Sequence, residues 1–358
     1  MKLFQCNGCG QVLLFENTVC VQCNSAVGFE PNALTLFTLA PVNGGYMQLN
    51  NPQSPTWVYC KNYQQGVCNW LVKSNSATGL CKACELNRYI PNIKDISNLE
   101  GWRALEFAKH RLVFSLLRMQ LLVASKQNAP QTGMTFDFID THTKVPEDAE
   151  SLTGHSDGLI TITLQEADPV QREQTRVDMH ERYRTLLGHL RHEIGHYYWD
   201  LLIAPNDHWL QRYRTQFGDE RVDYGQALEQ YYQQGAPSNW NQQFVTAYAS
   251  SHPWEDWAET WSHYLHLADS METAQALGIS VRPSIESSGG GLSMVADIDP
   301  YAPIDFDIFL EKSLALTFAA NSLNRSMGQP DFYPFILSAG VKEKLQFVHE
   351  LLASVRGQ

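Results

Sequence analysis

His192, Glu193 and His196 have the residue types and spacing to run metal-assisted hydrolysis. Four residues apart on a helix, the two imidazoles stand on one face, about a turn from each other, and offer an ion two nitrogen ligands. A zinc ion there would draw the pKa of a water toward neutrality. The neighbouring Glu193 carboxylate would take that water's proton as it attacks a carbonyl, then hand the proton to a leaving amine. Glu193 is therefore the candidate general base. Val177, Tyr183, Leu186, Leu187, Leu190, Ile194 and Tyr197 recur at three- and four-residue steps. That periodicity predicts a helix from Pro169 through the motif, stopped by Pro205-Asn206-Asp207.

A third ligand has to come from elsewhere, and His252-Pro253-Trp254-Glu255-Asp256-Trp257-Ala258-Glu259-Thr260 is the best source. Pro253 suits the first turn of a helix, predicted to run from about 253 to 268. Glu255 and Glu259 then share a face at i, i+4. Glu255 is assigned to the zinc, and Glu259 to a hydrogen bond that orients a ligand imidazole. Acyl transfer also needs a donor for the developing oxyanion. Tyr248, just before the glutamate helix, and His263, two turns after Glu255, are the candidates, each with a plain structural role as its alternative. Arg191 and Asp200 flank the motif as pairing residues, and His155 reads as a turn histidine.

The eight cysteines all lie in the first quarter of the chain. Cys6, Cys9, Cys20 and Cys23 form two C-x2-C knuckles, and Cys60, Cys68, Cys81 and Cys84 form a second set. Two thiolate turns can complete one zinc tetrahedron, so sequence order assigns a structural zinc to each set. An interleaved arrangement, with pairs exchanged between the sets, stays open. With the histidine site this makes one catalytic and two structural zinc ions. The plain role of the cysteine centres is to replace a core too small to fold alone. The competing role is a docking surface for a protein partner or nucleic acid, using Trp57, Tyr59 and Trp70 among Lys61, Lys73 and Lys82.

Two longer strings carry a resemblance. His192-Glu193-x-x-His196 followed by Glu255-x-x-Ala258-Glu259 resembles the gluzincin arrangement, in which a later helix supplies a glutamate and a second acid four residues on. Arg191-His192-Glu193-Ile194-Gly195-His196-Tyr197-Tyr198-Trp199 and the string from His252 to Glu259 lie behind a zinc ribbon. Together they resemble the bacterial family of zinc-binding metallopeptidases with a ribbon domain. The resemblance covers nearly the whole chain and implies peptidase activity. It implies an α+β fold: a mainly helical zincin-like domain with a small antiparallel sheet over 91–358, preceded by a ribbon region over 1–90. Glu259 departs from the aspartate frequent in gluzincins, and its longer side chain reaches farther.

The remaining elements follow from pattern. Ser97-Asn98-Leu99-Glu100 resembles a capping box opening a helix to about Ala124. Residues 134–139 and 159–164 alternate as strands, and the second is the expected edge on which an extended peptide could add. A polar loop holds Pro146, and Ser287-Ser288-Gly289-Gly290-Gly291 reads as a flexible connection or lid. Helices are expected over 224–232, 306–323 and 341–355.

Composition bounds the partners. Hydrophobic residues are 44% and charged residues 18%, as in globular chains. A net charge of −12 argues against a molecule built to coat nucleic acid or anionic lipid. No apolar run is long enough to span a bilayer, and the first residues lack a secretion signal, so the expected location is the cytoplasm. The expected substrate is a peptide or protein. The alternative is a ribbon interaction module on a non-catalytic zincin scaffold, against which the intact Glu193 argues.

Overall fold

The computed structural model describes residues 2–140, 153–178, 181–284 and 291–356. They fall into two compact units, Met1–Pro169 and Val170–Gln358. The 90/91 junction that the resemblance implies falls inside the first unit. Helices and small sheets combine in an α+β fold with a ribbon region at its start. The loop around Pro146 and the Ser287-Ser288-Gly289-Gly290 stretch lie outside the described residues.

In the first unit, β1 (Phe4–Gln5) pairs with β2 (Val12–Leu13) and sets up the first knuckles. Five antiparallel strands follow in chain order: β3 (Ala26–Glu30), β4 (Thr35–Val42), β5 (Gly45–Gln48), β6 (Trp57–Tyr59) and β7 (Leu71–Lys73). Gly28 is needed there, because a Cβ would sit 2.5 Å from Leu71 Cδ2. Phe37, Leu39, Trp57 and Leu71 cluster on the sheet. Phe15, Phe29, Trp70 and Phe114 form a second aromatic group, with the Phe29 and Trp70 rings 4.7 Å apart. Trp57 and Trp70 are thus core residues rather than an exposed stacking platform.

A four-stranded sheet completes this unit: β8 (Asn87–Tyr89), β9 (Thr135–Ile139), β10 (Gly154–Ser156) and β11 (Leu159–Thr163), in spatial order β10-β11-β9-β8. β11 and β8 run parallel to β9, and β10 is antiparallel to β11. The expectation that 159–164 forms a free edge is therefore corrected. Asp157 and Gly158 both take positive φ, 45° and 74°, as a tight two-residue hairpin turn requires. His155 accepts the Gly158 amide at 2.9 Å, and β10 folds back over β11. Helix α1 (Ile96–Arg118) is capped by Asp95, not Ser97: the Asp95 side chain accepts the Ser97 amide. The helix ends six residues before Ala124.

The second unit is mainly helical: α2 (Pro169–Asp178), α3 (Leu186–Leu202), α4 (Asp207–Gln216), α5 (Tyr224–Gln234), α6 (Pro253–Leu277), α7 (Phe306–Ser326) and α8 (Ala339–Val355). A short ribbon of β12 (Ser280–Val281) and β13 (Met294–Val295) precedes α7. The single helix predicted from Pro169 is instead two, and α3 restarts at the Thr185 cap, whose hydroxyl accepts the Gly188 amide at 3.0 Å. α6 is the hub. It packs on α3, α7 and α8 and buries Trp257, Trp261 and Tyr264 completely, as a helix apolar on several faces must. Among the described residues, no helix is long and apolar enough to cross a membrane.

Candidate metal centres and active site

The α3–α6 crossing is unusually close at Gly195. A Cβ there would lie 3.1 Å from the Ala258 Cα and 3.2 Å from the Trp261 ring. Trp257 Nε1 donates to the Gly195 carbonyl at 2.8 Å. This approach brings Glu255, on the first turn of α6, up to the two histidines of α3.

His192 Nε2 lies 3.3 Å from His196 Nε2 and 2.9 Å from Glu255 Oε2, and His196 Nε2 lies 3.5 Å from Glu255 Oε1. Zinc bonds to N and O of about 2.0–2.1 Å imply a tetrahedral edge of roughly 3.3 Å. The three donors, all buried, fit one small divalent ion with a corner left for solvent or substrate.

Outer groups fix those donors. Glu259 Oε1 accepts from His192 Nδ1 at 2.7 Å, which directs Nε2 at the ion position. The other oxygen of Glu259 accepts the Thr246 hydroxyl at 2.7 Å. Tyr224 donates to Glu255 Oε1 at 2.7 Å. Trp254 packs edge-on against His196, with ring centroids 4.9 Å apart. Burial opposes charge on His192, but Glu255 and Glu259 outweigh it and hold its pKa well above the usual value.

Glu193 is buried beside this set, and its Oε1 accepts from His189 Nε2 at 3.1 Å. Burial would raise its pKa, yet His189, His192 and His196 outweigh burial and keep the carboxylate ionised. Tyr248 begins a single 3-10 turn, Tyr248–Ser250, directly before α6, with its ring centroid 6.0 Å from that of His192. Burial and the charges of Glu255 and Glu193 hold its phenol far above the usual pKa, so it keeps its O–H. His263 lies one turn after Glu259 on α6. Its Nδ1 is bonded to the Tyr333 hydroxyl at 2.8 Å, its ring packs on Phe335, and burial lowers its pKa to about 4. Arg191 pairs with Asp269 and His266 on α6, and Asp200 is exposed at the far end of α3.

The thiols gather in two sets that follow sequence order. Cys6 and Cys23 sulfurs are 3.6 Å apart, Cys9 and Cys20 are 3.6 Å apart, and Cys68 and Cys81 are 3.7 Å apart. Zinc–sulfur bonds of about 2.3 Å imply an edge of roughly 3.8 Å, so both sets have the right size for zinc. In the second set all four cysteines are buried, and amides of Trp70 and Cys81 reach Cys68 and Cys60 sulfurs at 3.4 Å. Cys9 and Cys23 of the first set are exposed.

Sequence reasoning did not single out His189, Tyr224 or Thr246. His189 carried a signal, because it stands one turn before Glu193 on the same face. Tyr224 and Thr246 act from outside the two motif helices, and spacing along the chain carries no trace of them.

Residues 98–351 match the family described as "Putative zinc-binding metallo-peptidase", and residues 3–95 match a zinc-ribbon domain. Two similar chains, one from Mycobacterium tuberculosis (strain ATCC 25618 / H37Rv) and one from Mycobacterium bovis, are each called an uncharacterized protein. Each is 40% identical over 356 residues, covering 99% of this chain and 96% of its own length. No solved structure matches the chain.

Proposed function

Because this chain belongs to the family of zinc-binding metallo-peptidases, we propose that it is a zinc-dependent hydrolase of the gluzincin kind, cleaving amide bonds in peptides or proteins. The observation that carries this reading is the convergence of His192, His196 and Glu255 on one point beside an ionised Glu193. Bound there, zinc supplies Lewis-acid polarisation of the scissile carbonyl and of the attacking water.

The chain's own groups do the rest. Glu259 and Tyr224 hold His192 and Glu255 in place, so little reorganisation is needed at the moment of reaction. Glu193 takes a proton from the water and delivers it to the departing amine nitrogen, with His189 fixing the carboxylate in between. Tyr248, a protonated phenol beside His192, would donate a hydrogen bond to the oxyanion. The eight unpaired thiols fit a reducing compartment, the cytoplasm, where they stay available to metal.

The test compares wild type with Glu193→Gln on defined peptide pools, with zinc content measured in both. Loss of cleavage by about a hundredfold or more, at unchanged zinc content, is expected for removal of a general base. Equal cleavage by the two proteins contradicts the reading. So does a zinc-loaded wild type that cleaves nothing while its ribbon captures a protein or nucleic acid.

A further inference from the structure

We propose that His110 is the outer partner of the second cysteine centre, supplied by α1 from outside the ribbon segment. The zinc-ribbon match ends at residue 95, and α1 begins at Ile96. The ribbon's second centre is nonetheless closed by this helix. His110 is buried, and its Nε2 lies 3.8 Å from the Cys84 sulfur and 4.0 Å from the Cys81 sulfur.

Two contacts fix the ring's orientation. Nδ1 donates to the Glu106 carbonyl at 2.7 Å, one turn back. The ring meets Trp70 edge-on at 5.1 Å, and the Trp70 amide donates to Cys68. Glu106 itself is held by Lys109 at 2.8 Å and Asn87 at 2.6 Å. Lys109 also argues against a separate cation between Cys84, Glu106 and His110, since its ammonium already neutralises the carboxylate. Among the described residues, Nε2 faces the Cys81 and Cys84 sulfurs.

Its place is outside the tetrahedron. Nε2 is near two of the four sulfurs, so it faces an edge rather than filling a corner. Four thiolates around one divalent cation leave a net charge of roughly −2 in a buried site, and burying charge without a partner is unfavourable. With its Nδ1–H given to the Glu106 carbonyl, the ring can present an N–H from Nε2 to the sulfurs only as the imidazolium, and that cation at the edge offsets part of the charge. Outer groups of this kind are commonly worth ten- to a hundredfold in metal affinity. The consequence is that metal at the second centre fastens the Cys81-to-Cys84 turn to α1, so the ribbon and the first helix after it form one cooperative piece.

The test uses the full chain carrying Cys9→Ser and Cys23→Ser, which removes the first thiolate centre. Cobalt added as probe then gives sulfur-to-metal charge-transfer absorption from the second centre alone, because the histidine centre has no sulfur. His110→Leu is expected to weaken cobalt and zinc retention against a chelator by about ten- to a hundredfold, and His110→Gln, which restores an N–H donor, to recover most of it. Retention in His110→Leu equal to the parent contradicts the proposal, as does a Gln variant no better than Leu. Should the Leu variant fail to fold, the Gln variant decides: near-parent retention supports the proposal, and a hundredfold loss contradicts it. A parent whose absorption survives Cys81→Ser with Cys84→Ser would instead sink the zinc-centre reading, and none of these arms bears on peptide cleavage.

Discussion

Glu259 binds His192 Nδ1 through one oxygen at 2.7 Å and the Thr246 hydroxyl through the other at 2.7 Å. The carboxylate therefore fixes both the tautomer and the tilt of a candidate ligand ring. Glu259→Ala should lower zinc affinity at the histidine centre by about ten- to a hundredfold, with the cysteine centres unchanged. Competition against a graded set of chelators measures this, and unchanged affinity would show that His192 needs no outer partner.

Gly195 is the contact point of α3 and α6. Gly195→Ala places a Cβ 3.1 Å from the Ala258 backbone, opposite a rigid tryptophan. Overpacking of this kind costs about 1–3 kcal/mol, measurable as a lower urea midpoint at unchanged slope. The same substitution pushes Glu255 away from the histidines, so weaker zinc retention should accompany it. A destabilised variant with wild-type zinc affinity would separate the helix contact from the site.

His349 gives a pH dependence with a definite sign. Its Nε2 donates to the Ile304 carbonyl at 2.9 Å, and its Nδ1 is bonded to the Tyr264 hydroxyl at 2.9 Å. Burial, the largest influence, lowers its pKa below the usual value. The unfolded chain then takes up the proton first, so stability is complete above the ordinary histidine pKa near 6.5 and falls as pH drops through that window. Acid also strips zinc, which a variant comparison cancels. The loss of melting temperature between pH 7.5 and pH 5.5 should be larger in wild type than in His349→Gln. An equal loss would overturn the assignment.

What the sequence disclosed and what it withheld divide along physical lines. His192, His196, Glu255 and Glu259 were readable because each pair lies on one helix, where a four-residue step fixes the geometry. The cysteine sets were readable because knuckle spacing is local chemistry. Tyr224 was hidden because its partner Glu255 is 31 residues away, and His110 because its partners lie on the ribbon while it sits mid-helix. The predicted helix from Pro169 overran, since apolar periodicity continued through a segment where the Thr185 cap starts a new helix. The edge assignment for 159–164 failed for a readable reason: Asp157-Gly158 is a hairpin turn signal, and it folds β10 onto that strand.

The proposed hydrolase needs one ion held jointly by α3 and α6. Metal analysis of purified wild type and of His192→Ala with His196→Ala tests it most directly. Wild type is predicted to carry about three zinc ions per chain, four donors to each cysteine centre and three to the histidine centre. The double variant is predicted to keep two. A double variant that retains all of the wild-type metal would contradict the site, and with it the proposed hydrolase.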